Sequence, residues 1–335
     1  MKRIIKNFMI FLCLSYFFIS LGAVSSDAPK FKTLSSLKKI DDFPMYTMEY
    51  SGDYAFDEYL KQGSKDLNEF NQFLAEHHLI ASDLKNWKDD ACTGFIARNS
   101  KGEVLFGRNL DSPGEKQGVL LLRTHPSNGY AATSLVGLNN AGKDIKAVLA
   151  NILAAPYLSS DGINECGVAV SILTVPEWRP KRDPNKVTIF RWTVIRLILD
   201  YAKNVDEAVA LVRMYNQNDN NGNGLHFFVA DASGNSAVIE SNDGRIEVTK
   251  NEKPWQVVAN FLLYNNVGAG GRGRYAIAST TLADKNGVLS EIDSMKLLRT
   301  VCQYDTVWSA VYNLNTKELN LVLGRQYDRI NKFSF

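Results

Sequence analysis

The rhythm of polar and apolar residues changes near residue 91. Upstream, "FDEYLKQGSKDLNEFNQFLAEHHLIASDLKNW" places apolar residues at Phe56, Tyr59, Leu60, Leu67, Phe70, Phe73 and Leu74, the three-and-four spacing of helices that bury one stripe. Gly63 and Ser64 divide this stretch into two helices. Downstream, short apolar runs alternate with glycine-containing polar turns, which predicts hairpins over "CTGFIARNSKGEVLFGRN", "LHFFVADASGNSAVIES" and the closing "TVWSAVYNLNTKELNLVLGRQY". Two helical intervals interrupt the strands. One is "TIFRWTVIRLILDYAKNVDEAVALVRMY", with Asp206 the expected cap of its second helix; the other is the end of "TLADKNGVLSEIDSMKLLRTVC". The chain reads as one large α+β domain behind a helical leader, with polar "KNWKDDA" as an exposed junction.

The start of the chain has a different character. "MKRIIKNFMIFLCLSYFFISLGAVSSD" combines a basic beginning, an apolar stretch and small residues, the layout of a secretory signal. Its uninterrupted apolar run is shorter than the ~20 residues a spanning helix needs, and no later segment comes close. The expected division is a signal peptide at 1–25, a helical propeptide or small subunit at 26–91, and the main domain at 92–335, in a secreted or periplasmic protein.

Composition narrows the partners. Lysine and arginine total 38 against 36 acidic residues, with no long run of one sign, so nothing favours nucleic acid or an anionic surface. The four histidines occur without CxxC, HxxxH or HExxH spacing, which leaves a metal site unsupported. No cofactor is expected. Loss of the signal removes Cys13 and leaves Cys92, Cys166 and Cys302. An odd number in an oxidising compartment implies one thiol with a chemical task, while pairing of Cys166 with Cys302 stays open.

Cys92 is the candidate. Paired residues in a hairpin have numbers that add to a constant, and a turn over Ser100 to Gly102 makes that sum about 201 to 203. Cys92 then lies opposite residues 109 to 111, flanked by Arg108 and Asp111. A guanidinium near a thiol favours the thiolate, the nucleophilic form. No histidine is close in sequence to act as base. A cut between Ala91 and Cys92 would supply one, because an α-amine with a pKa of about 7.7 to 8.0 suits general base work. Asp111 could then hold that amine.

These residues carry a family resemblance. "CTGFIARNSKGEVLFGRNLD" resembles the mature start of the cysteine-type N-terminal nucleophile hydrolases of the linear amide C–N hydrolase group, which includes choloylglycine hydrolases, penicillin V acylases, acid ceramidase and N-acylethanolamine acid amidase. The likeness continues through "DGINECGVAVSI", "LHFFVADASGNSAVIE" and the terminal "TVWSAVYNLNTKELNLVLG". It implies a four-layer αββα sandwich and hydrolysis of a non-peptide amide bond. It further implies Cys92 as nucleophile and base, Arg108 as its positioning cation and Asp111 as the amine ligand. Asn260 in "VVANFLLYNN" would donate to the oxyanion. Arg274 in "GGRGRYAIAS" matches a second family arginine, with Arg272 close enough to leave the choice open. "VGAGGRGRY" lacks a phosphate-loop ending and reads as a flexible loop bordering the site.

Two departures shape the substrate expectation. Thr174 stands where bile-salt hydrolases carry a substrate-binding asparagine, and the leader resembles that of acid ceramidase and its amidase relative, cut at the cysteine and kept. An N-acyl amide with a lipid-like acyl chain is the first choice, with "LLYNN" and "ILTVPEW" as candidate lining. Bile-salt or penicillin V deacylation and acyl transfer are alternatives. Three readings compete with this mechanism: Cys92 as a plain core residue, a papain-like Cys92, His226 and Asn260 triad, and a secreted binding protein that keeps the fold without catalysis. His226, inside an apolar strand, fits a core position better than a catalytic one.

Overall fold

The computed structural model describes residues 28–41, 43–84, 91–112, 118–140, 145–175, 181–218, 224–242 and 244–335. The expected signal, the junction at 85–90 and the "PEW" part of the candidate lining lie outside the described residues.

The described helices are α1 (Ala28–Ser36), α2 (Phe56–Gln62), α3 (Leu67–Glu76), α4 (Ile145–Asn151), α5 (Val194–Tyr201), α6 (Val205–Arg213), α7 (Arg272–Asp284) and α8 (Glu291–Thr300). One antiparallel sheet of six strands runs in the order β14 (Gln256–Val258), β3 (Ala91–Arg98), β4 (Val104–Asp111), β15 (Thr306–Asn313), β16 (Leu319–Leu323), β17 (Asn331–Phe333). The other has nine strands: β1 (Lys38–Asp41), β2 (Met45–Tyr50), β5 (Val119–Thr124), β6 (Ala132–Gly137), β7 (Ser159–Asn164), β8 (Ala169–Val175), β11 (Gly224–Ala230), β12 (Ser236–Asn242) and β13 (Arg245–Lys250). A separate parallel pair, β9 (Thr188–Ile189) and β10 (Asn216–Gln217), completes the set.

Alternation along the strands orders the layers. Leu121, Leu135, Leu173 and Phe228 of the larger sheet share one core with Cys92, Phe106, Trp308 and Leu321 of the smaller. Their neighbours Leu120, Leu122, Val170 and Phe227 point the other way, into a core with α2, α3, α5 and α6. Phe95, Leu105, Val311 and Val322 pack under α7 and α8. Because successive side chains leave a strand on opposite faces, these three cores separate four layers, helices, sheet, sheet and helices.

The Cys92 hairpin has the expected register. Cys92 pairs with Leu110, Ala91 with Asp111 and Gly94 with Arg108, a constant sum of 202. Asn99 closes the turn by accepting the Lys101 and Glu103 amides, each at 3.0 Å. Gly102, at φ +83°, takes the left-handed conformation that L side chains resist.

Four elements differ from expectation. The leader is not wholly helical, since β1 and β2 extend the nine-stranded sheet, with β2 parallel to β5 over six residue pairs. The second helix of the 194–213 pair is capped by Asn204, whose side chain accepts from the Glu207 amide, and not by Asp206. "GRGRY" opens a 13-residue helix instead of ending a flexible loop. Residues 145–158 form α4 and a 3-10 helix where no helix was expected. Cys166 and Cys302 are thiols and share no disulfide. Among the described residues, no helix is long and apolar enough to cross a membrane.

Candidate active site

Cys92 sits second in β3, and the parity of the hairpin assigns its neighbours. Cys92, Phe106 and Leu110 face the core between the sheets, so Arg108 shares their side. Asn109 and Asp111 face the helices, and Asn109 accordingly donates to Leu298 O of α8 at 2.8 Å.

On the inter-sheet face, Arg108 is fully buried. Its Nη2 lies 3.2 Å from Cys92 Sγ and 2.8 Å from Ile172 O of β8. Its Nη1 pairs with Asp161 of β7, also fully buried. Asp161 collects two further donors from β15, Trp308 Nε1 at 3.0 Å and the Tyr312 hydroxyl. Burial by itself pushes the guanidinium toward losing its proton, but Cys92 and Asp161 outweigh it and hold the proton more firmly than usual. The arrangement places a permanent cation against the thiol, the environment that favours a thiolate.

On the helix face, Arg274 joins four groups from the first turn of α7. Its Nη1 donates to Cys92 O at 2.6 Å, to Thr93 Oγ1, and to Asp111 Oδ2 at 3.4 Å; its Nη2 donates to Asn260 Oδ1 at 2.8 Å. Gly270 lets the loop pass against Asn260, since a Cβ there would lie 2.4 Å from Asn260 O, and Gly271 leaves room for the guanidinium, since a Cβ there would lie 2.9 Å from Arg274 Nη2. Arg272 does not share in this cluster. It donates to Gly268 O and Asn266 and lies over the Phe261 ring, so it shapes the loop. Asp111 also accepts from Gln303 Nε2 at 2.9 Å and from the Thr306 hydroxyl. Burial raises its carboxyl above the usual range, and Thr306, Gln303 and Arg274 partly pull it back.

Asn260 bridges the two sheets. Its Oδ1 accepts the Cys92 amide at 2.9 Å, and its Nδ2 donates to Thr174 O at 2.8 Å. With backbone N–H and guanidinium on one side and a carbonyl on the other, only this orientation of the amide satisfies every partner. Thr174 therefore meets Asn260 chiefly through its main chain, its hydroxyl lying 3.4 Å away. Cys92, Arg108, Asp111, Asn260, Arg274 and Thr174 thus form one connected cluster. His226 is elsewhere in the hydrogen-bond network, with Nδ1 3.0 Å from Glu240 Oε1.

Asp161, Trp308, Tyr312, Thr306 and Gln303 were not assigned from the sequence. "DGINECG" drew attention as a motif, and alternation in the closing hairpin puts Trp308 and Tyr312 on one face. Nothing local joins those strands to Arg108. Among the described residues, no group of three His, Cys, Asp or Glu side chains is placed to hold a metal ion.

A four-layer sandwich whose inner strand begins beside a buried cysteine, with an arginine at its sulfur, defines the class of N-terminal nucleophile hydrolases. The model of the linear amide C–N hydrolases, choloylglycine hydrolase family, matches residues 92–267, more than half of the chain, and the chain belongs to that family. A penicillin V acylase from Pectobacterium atrosepticum is 30% identical over 115 residues, which cover 30% of each protein; the chain therefore spans under a third of that relative's length. Two solved structures share the fold. A penicillin V acylase from Agrobacterium tumefaciens gives a TM-score of 0.52 at 17% identity, covering 72% of this chain and 85% of its own. A conjugated bile acid hydrolase from Clostridium perfringens, solved as a cysteine-to-alanine mutant, gives 0.53 at 16% identity, covering 73% and 92%.

Proposed function

We propose that this chain is an exported precursor that cuts itself between Ala91 and Cys92 and then hydrolyses an N-acyl amide through a Cys92 thioester. The observation that carries the reading is the double engagement of Cys92, with Arg108 at its sulfur and Asn260 and Arg274 at its backbone. In self-cleavage, Sγ attacks the Ala91 carbonyl carbon and the C–N bond breaks as the Cys92 nitrogen takes a proton. Water then hydrolyses the thioester, releasing the Ala91 carboxylate and leaving a free α-amine on Cys92. In turnover the same sulfur attacks the substrate carbonyl, the amine product leaves with a proton, and water activated by the Cys92 amine frees the acid. Asn260 Nδ2 has a second hydrogen beyond the one given to Thr174 O, and that hydrogen serves the oxyanion. Asp111 and Arg274 hold the new terminus.

The leader stays attached after the cut. β2 shares its whole length with β5, and Tyr54, Phe56, Tyr59, Phe70 and Phe73 pack with Tyr157 and Phe190. The acyl group is lipid-like, with bile-salt and penicillin V amides as the alternatives.

Mass spectrometry of the purified protein, combined with a panel of fatty acyl, steroid and phenoxyacetyl amides, tests the reading. The expected result is a chain starting at Cys92, release of free acid, and a Cys92→Ala variant that remains uncut and inactive. A wild-type chain intact across Ala91 and Cys92 that still hydrolyses amides would sink the amine mechanism. One that is intact and inert would favour a binding protein.

A further inference from the structure

One buried ionisable pair takes no part in the mechanism above. His226 of β11 and Glu240 of β12 are partners in register and have no exposed surface. His226 also pairs with Leu173, a member of the core between the sheets, so the pair lies on the inter-sheet face beside the Thr174 end of β8. A buried carboxylate is costly unless hydrogen-bonded. Glu240 meets that requirement with three nitrogens: Leu263 N at 2.7 Å and His226 Nδ1 at 3.0 Å on Oε1, and Tyr264 N at 2.9 Å on Oε2. With both oxygens accepting, the proton shared with His226 belongs to Nδ1. Among the described residues no partner reaches His226 Nε2.

The two amides belong to the loop between β14 and α7, which carries Asn260 at one end and delivers Arg274 at the other. Elsewhere the loop holds itself: Leu262 N donates to Val267 O at 2.8 Å, and Arg272 ties Asn266 and Gly268 together from the exposed side. Glu240 binds the middle of the loop to the larger sheet. Two consecutive N–H groups pinned by one carboxylate fix both the position and the tilt of that segment, and Asn260 lies three residues before Leu263.

We propose that Glu240, oriented by His226, is a positioning residue: it sets the Asn260 amide for the oxyanion and Leu263 and Tyr264 against the acyl group, without touching the reacting bond. The proposal rests on the amidase reading for its kinetic consequence only. A misplacement of about 1 Å in a catalytic group can cost on the order of 100-fold in rate, so the effect should fall on kcat.

Glu240→Gln keeps the volume but offers one acceptor oxygen, turning its amide N–H toward a backbone N–H. In the folded, cut variant, hydrogen exchange should show the Leu263 and Tyr264 amides deprotected. Cys92 alkylation should proceed at the wild-type rate, and kcat should fall about 10- to 100-fold with KM for a short acyl amide little changed. His226→Asn, which can present an N–H near the Nδ1 position, should retain more activity than His226→Leu. Unchanged protection in Glu240→Gln overturns the loop anchor. Lost protection with wild-type kcat overturns the positioning of catalysis, and so does a loss of activity fully accounted for by lost alkylation or folding. Wild-type protein inert on the amide panel overturns the amidase reading alone, because the exchange result still decides the anchor.

Discussion

The hairpin that carries Cys92 presents two faces made in different ways. Between the sheets, Arg108 and Asp161 have no exposed side-chain surface, and their partners come from strands β3, β7, β8 and β15. On the helix face, Arg274 keeps 15% of its side chain exposed and works from the first turn of a helix behind a glycine-rich loop. The sulfur is thus served by a site assembled with the core itself, while the backbone of Cys92 is held by buried Asn260 at its nitrogen and by the partly exposed Arg274 at its carbonyl oxygen. Charge is held where both partners are buried, and a partly exposed cation lies at the backbone that the proposed self-cleavage would cut.

The largest contrast should come from Arg108→Ala against Arg274→Gln. Removing Arg108 strands Asp161 as a buried charge, a class of change that costs about 3–5 kcal/mol. Urea unfolding should show that loss, and turnover should vanish. Arg274→Gln, at a partly solvated position, should cost only about 1 kcal/mol in stability while lowering the rate of self-cleavage at least ~10-fold. Similar stability losses for the two variants would erase the distinction between the faces.

A smaller effect is expected at Asp111. The Thr306 hydroxyl lowers its carboxyl, so Thr306→Val should raise it further and move the acid limb of the kcat/KM profile to higher pH. The stability consequence has a definite sign. A carboxyl held above its unfolded value favours the native state fully below that value, and the benefit is lost as pH rises through the folded one. Unfolding midpoints should therefore fall more steeply in Thr306→Val than in wild type as pH rises above the ordinary carboxyl range of about 4. The smallest effect belongs to Thr174→Val. Its hydroxyl is 3.4 Å from Asn260 Nδ2 and the main-chain carbonyl carries the bond, so activity should change less than about twofold. A larger loss on one acyl class would mean that the hydroxyl meets substrate.

Distance along the chain, and not the face, governs how much the sequence reveals. Cys92, Arg108 and Asp111 share one hairpin, whose register follows from a short turn, so their neighbourhood is readable from residue numbers alone. Asp161, Trp308 and Tyr312 converge on Arg108 from strands far away in the chain, and no local pattern encodes that meeting. Helix α7 is hard to see for another reason. It begins in "GGRGR" and buries only Ala278 and Leu282, so it lacks the apolar stripe that betrays a helix. β1 is exposed along most of its length, and β2 departs from strict alternation. Both are strands because the edge of a large sheet is beside them.

The place of β2 between β1 and β5 has a consequence for reversibility. Cutting at Ala91 would make the outer two strands of the larger sheet a separate polypeptide that the remaining chain cannot regenerate. Unfolding would then become a dissociation, and recovery a second-order encounter that slows on dilution. The precursor can fold as a single chain, but the cut protein would carry a memory of that event: heated and cooled, it should return incompletely, and less so the more dilute it is.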